Sequence, residues 1–314
     1  MWRGLSCSFL LCAAGCGAGS GSAESFLTGL PSRQALEIAA PSSRAPAALA
    51  LRSPALVGQT ASLYVLTRQT TGQVNGFVGG ALDTLGNIAR TPPAAVGPDS
   101  AVWGPITDAL SPVAGRLVVV RLAPGAHQFR LDLRPKSGDD STFETFLQGA
   151  STGAAPGGPT QGTFSVDLSL AHRLDPVANP AEGQVVAGWN VGAGQREVLV
   201  HLNGVHAGTD APASANIDSV MKGDGSGTLA LEAIADLAGT PEALEGGAVR
   251  SRWNPTGAGR ADAEAQGGDA GEGFIVTECW DTSFERVYAR GQTADGGVTT
   301  EGDVTACAFA DPLP

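Results

Sequence analysis

The chain is short of cysteine, of lysine and of long apolar runs, and each shortage excludes something. Five cysteines stand in 314 residues, and no His, Cys and carboxylate set has the spacing of a zinc site, so no metal centre is expected. Lys136 and Lys222 are the only lysines, and 19 Lys+Arg against 31 Asp+Glu leave a net charge of -12. That acidity disfavours nucleic acid and anionic headgroups as partners. The bias towards Arg, Ala and Gly reads as base composition. Beyond the first residues no stretch has the length and apolarity of a transmembrane helix. No G-x-S-x-G elbow, P-loop or H-E-x-x-H occurs. "KGDGSGT" (222–228) lacks the alternating acids and terminal Glu of a calcium loop. Asp139-Asp140, the obvious carboxylate pair, sits in a Gly/Ser turn. No catalytic residue, metal ligand or cofactor is assigned, and an enzyme is not expected.

Three of the five cysteines, Cys7, Cys12 and Cys16, crowd into the start of the chain. Arg3 gives a short positive segment. Residues 5–14 form an apolar stretch of about ten residues, too short to span a bilayer and suited to the core of a secretory signal. It ends in Ala13-Ala14-Gly15, directly before Cys16. This resembles the lipobox of bacterial lipoproteins, with Ala13 where the usual box has Leu. Bulky Leu11 makes Cys12 the poorer candidate. The resemblance implies cleavage before Cys16, a lipid on that cysteine and, because Gly17 rather than Asp follows, sorting to an outer membrane. An ordinary cleaved signal is the alternative. "GAGSGSAES" (17–25) and the Pro/Ala/Ser stretch 39–54 read as a tether. The expected organisation is a signal peptide (1–15), a lipid-anchored flexible linker (16–58) and a folded domain (59–314). Cys7 and Cys12 would leave with the signal and Cys16 would carry lipid. Cys279 and Cys307 remain, and export favours a disulfide between them over free thiols.

Val74, Phe77, Val78, Ala81, Leu82, Leu85, Ile88 and Ala89 recur at three/four spacing. They predict a helix over 74–89, extendable towards Thr60 and stopped by Pro92-Pro93, with Phe77, Ala81 and Leu85 inward. Gly72, Gly76 and Gly80 lie four apart and suggest close approach to a neighbouring surface. Gln73, Asn75, Asp83 and Asn87 make a wet opposite face. After Pro98 the period changes to two, as in "FRLDLR" (129–134) and "FSVDLSL" (164–170), and hairpin turns follow at 123–126, 192–194 and 223–227. "GASTGAAPGGPTQG" (149–162) reads as a long loop between matching strands. About ten strands joined mainly by short turns predict a mainly β fold. The expected form is an antiparallel up-and-down barrel, or barrel-like meander, with one N-terminal amphipathic helix; a two-sheet sandwich is the rival.

"DSAVWGP" (99–105), "VRSRW" (249–253), "TGAGRAD" (256–262) and "ECWD" (278–281), with the late Cys307, are together similar to a family of uncharacterised bacterial lipoproteins. The resemblance implies a shared fold and export, and no activity. Two groups are candidates for ligand binding. Trp103, Trp189 and Trp253, with Trp280, either line an apolar pocket inside a barrel or fill its core. Arg250 and Arg252 share a strand face. With a loop over 255–259 they would stand opposite Glu264 and Asp262, as a charge-paired sheet face or as a site for a carboxylate or sulfate. The function expected is an exported, membrane-anchored, noncatalytic binding or structural module. A surface adhesin or interaction protein is the alternative. Behind both stands a hydrolase, whose minimum sign is a cleft gathering His201 with a carboxylate and a hydroxyl. A hollow interior would favour a carrier, and a filled one an interaction surface.

Overall fold

The computed structural model describes residues 23–41, 56–153, 160–236 and 243–312. The expected signal peptide, Cys16 and the lipid attached to it lie outside these residues.

Fifteen strands follow one another along the described chain: β1 (Ala95–Val96), β2 (Ser100–Ile106), β3 (Val113–Ala123), β4 (Ala126–Pro135), β5 (Glu144–Thr152), β6 (Gln161–Asp167), β7 (Ala181–Gly192), β8 (Gln195–Ala207), β9 (Ala213–Lys222), β10 (Gly227–Ala235), β11 (Glu245–Trp253), β12 (Gly259–Gly267), β13 (Gly271–Trp280), β14 (Arg286–Thr293) and β15 (Val298–Gly302). They form one antiparallel sheet in sequence order, each strand bonded to its neighbours in the chain. The meander is as expected. The ten-strand barrel is not: the strands number fifteen, and β1 and β15 are two free edges. β5 lies partly inside the stretch expected as a loop. Its inward position opposite Phe129 is Gly149, which breaks the visible alternation. "FSVDLSL" is also divided. β6 ends at Asp167, whose carboxylate accepts from the Leu170 N–H at 3.0 Å and starts a short helix at Leu168.

Register explains which face is the core. Directly paired residues share a face, and one such row crosses the sheet as Ala101–Val119–Phe129–Gly149–Phe164–Ala187–Val200–Ile217–Leu231–Val249–Ala263–Val276. Every member is apolar or glycine. Sheet residues one step along point the other way.

The helices are α1 (Glu24–Leu27), α2 (Arg33–Leu36), α3 (Ser62–Ala89) and α4 (Leu168–Leu174). Among the described residues no helix is long and apolar enough to cross a membrane. α3 has 28 residues, about 42 Å of helix. Its first turns pack on β11–β13 and its last on β2–β3, and α2 lies against both α3 and β7. The inward residues of α3 are Val74, Val78, Leu82, Leu85 and Ala89, while Phe77 is only partly buried. Gly72, Gly76 and Gly80 face open space, so the close approach expected of them is not made; Gly79 is the tight position, against the Arg33 guanidinium. Asn75 is likewise not on a wet face, since its amide bonds the main chain of Ile38 twice, each at 2.8 Å.

Those contacts correct the linker. Residues 23–41, expected within a flexible tether, carry α1 and α2 and bury Phe26, Leu36 and Ile38 in the main core. The Gly29 carbonyl accepts from the Ser151 hydroxyl at 2.6 Å. Three apolar side chains spaced through a Ser/Ala-rich stretch are enough to dock it.

The start of α3 is held from a distance. Glu278 on β13 accepts from the Leu63 N–H at 2.7 Å, serving one of the donors that a helix N-terminus leaves unpaired. Its other oxygen meets Arg286 of β14 at 3.2 Å, with the two side chains 2 % and 1 % exposed. Arg286 reaches on to Glu301 of β15 at 2.7 Å. Burial raises the proton affinity of Glu278, against the pull of the Leu63 N–H and Arg286.

Candidate functional site

The tryptophans, candidates for pocket lining or for core, are core. Trp103, Trp189, Trp253 and Trp280 are all buried, and three of them share one device. Trp189 stands directly opposite Gly162, Trp253 opposite Gly227 and Trp280 opposite Gly259, as Phe129 stands opposite Gly149. A methyl group on any of these glycines would run into the facing ring. Each ring lies across its neighbour's bare backbone, filling the space and covering the strand. Trp103 instead donates its indole N–H to the Thr91 carbonyl at 3.0 Å, closing the end of α3 onto β2.

The arginines lie on the opposite face, in a register two residues away from the expected one. Asn254 closes the β11–β12 turn: its N–H donates to the Ala258 carbonyl, and its side chain accepts from the Thr256 N–H and hydroxyl. The loop is therefore 254–258, and Arg250 pairs with Asp262 while Arg252 pairs with Arg260. Arg250 lies between two carboxylates of adjacent strands, 3.4 Å from Glu232 and 3.8 Å from Glu264. Arg252 lies 4.5 Å from the ring centre of Phe309. Cys279 and Cys307 form the expected disulfide, with Cα atoms 5.3 Å apart. Cys307 follows a turn after β15 and brings the tail back over β12, where the Ala310 carbonyl accepts from Arg260.

The sheet also carries a groove over β9–β14 that sequence reasoning missed. One cross-strand row here reads His201–Asn216–Glu232–Ala248–Glu264–Ile275–Gln292–Val298. Ala248, with Gly246 beside it, is a low point between longer neighbours. The cavity over them has a volume of about 620 Å³, within the usual range for ligand pockets. Its larger apolar residues are Leu202, Ile234, Phe274 and Ile275, the last three exposed; its charged residues are Glu232, Glu264 and Glu272. Small residues at alternate positions of "EGGAVR" were the available signal, but only register shows what stands beside them.

His201 is held by Asn216, its Nδ1 2.7 Å from Oδ1, rather than by a carboxylate. Asp218, near it on the same face, is pushed above the ordinary carboxylate range by burial and by Glu197, against the pull of His201. No family model, curated protein or solved structure matches the chain.

Proposed function

We propose that this is an exported cell-envelope protein, lipid-anchored at Cys16 to a membrane (an outer membrane by the Gly17 rule), and that it acts as a noncatalytic interaction module. The kinship with uncharacterised bacterial lipoproteins belongs to the same reading. The observation that carries the binding half is the contrast between a filled core and an open groove. The core is filled by the molecule's own helices and by tryptophan–glycine pairs, which leaves the groove around Ala248 as the surface for a partner. A surface interaction role is therefore favoured over an internal carrier.

Two measurements test the two halves. In membrane fractionation the wild-type chain sediments in a detergent-sensitive form and Cys16→Ser stays soluble; continued sedimentation of the variant would remove the anchor. Titration with naphthalene or palmitate leaves tryptophan emission unchanged, since the rings are already packed. A saturable shift would restore the carrier reading in place of this one.

A further inference from the structure

Arg252 and Arg260 leave adjacent strands side by side on the outer face. Like charges directly opposite each other destabilise a sheet. Arg260 is compensated, with Asp262 accepting from its Nη2 at 2.8 Å and from its Nε at 3.0 Å. Arg252 is not. Among the described residues its Nε is buried without a partner, and its guanidinium has the face of Phe309 as its contact. An arginine carries five donors in a fixed fork and is suited to two-point capture of an oxyanion.

The chain's own tail now occupies the place where such an anion would sit. Cys279, next to Arg260 in the same row, holds Cys307. Beyond it the tail supplies an aromatic face to Arg252 and a carbonyl oxygen to Arg260, and the charge of Asp311 acts on Arg252. These are three features of an anionic ligand, delivered in cis.

We propose that Arg252 and Arg260 form a binding site for an oxyanion, a carboxylate or a sulfate-like group, and that residues 308–312 are a tethered lid filling it. The disulfide fixes the hinge at Cys307, so the lid opens by peeling from residue 308 onward and stays at high local concentration. This site is separate from the groove around Ala248 and stands or falls without it.

A chain ending after Ala308 keeps the disulfide and removes the lid. Calorimetric titration with sodium sulfate and with succinate is expected to show binding to the shortened chain at least tenfold tighter than to the full chain. The stronger of the two arms identifies the anion class. Arg252→Gln in the shortened chain abolishes the gain, and the peptide AFADP added in trans competes. If the shortened chain does not fold, the full-length double variant Phe309→Ala/Asp311→Asn is expected to show the same gain. No gain in a folded lid variant, or a gain that survives Arg252→Gln, overturns the proposal.

Discussion

Arg286→Met isolates the buried pair that holds the start of α3. Methionine keeps much of the aliphatic volume and removes the cation 3.2 Å from Glu278. Removing one partner of a buried pair costs about 3–5 kcal/mol, because the other charge is left uncompensated. The Leu63 N–H still serves Glu278, which places the expected loss near 3 kcal/mol at pH 7.5. The loss depends on pH, and its sign follows from Glu278. Burial already raises its proton affinity, and loss of Arg286 raises it further. For a carboxyl whose folded pKa lies above its unfolded one, the stabilisation is complete below the unfolded value, about 4.3, and is lost as pH rises through the folded value. The variant therefore recovers by up to about 1.4 kcal/mol per pH unit on acidification below the folded pKa. Glu301 also loses a partner, but it keeps the Val57 N–H and is solvent-screened. Urea unfolding of wild type and variant at pH 7.5 and pH 5 measures the difference. A deficit equal at both values, or below about 1 kcal/mol, would show that the pair works as a surface contact and that the account of α3's anchoring is wrong.

Gly259→Ala should destabilise by roughly 1–3 kcal/mol because its methyl meets Trp280. Gly188→Ala, where the nearest atom is 3.7 Å away, should be close to neutral; equal thermal shifts would dismiss the ring-over-glycine packing. Cys307→Ser should cost about 3–4 kcal/mol in the chain-entropy model for a separation of 28 residues. The expected local sign is faster amide exchange in β15 and the tail with β2–β10 unchanged, and unchanged exchange at the tail would mean that the bridge does not secure it.

Much of the architecture was legible where alternation or helical spacing was unbroken. β3, β4, β7, β8 and α3 belong to this class, because most of their inward residues carry apolar side chains. Legibility failed where the inward position is a glycine filled from the next strand. Gly149 made β5 look like loop. It failed again where local chemistry overrides period, as when Asp167 turns "LSL" into a helix or Asn254 moves a register by two residues. Residues 23–41 were misread for a different reason. Five large apolar side chains without a clear period look like a linker until the sheet that receives them is known. The tryptophans were legible as pocket lining or core, but not the glycine that receives each ring, since it lies on another strand. The groove was invisible for the same reason: its low point is an alanine, and depth is a property of neighbours.

The strand order has a consequence for how the molecule is completed. Each strand finds its partner next in line, so the sheet can assemble progressively as the chain emerges, with little loop to close at each step. α3 does not share that economy. It precedes the sheet in sequence, yet the contact that secures its first turn, Leu63 to Glu278, spans 215 residues. The earliest long element made is the last to be finished, and until β13 arrives its apolar side must wait for a partner or be shielded by something else.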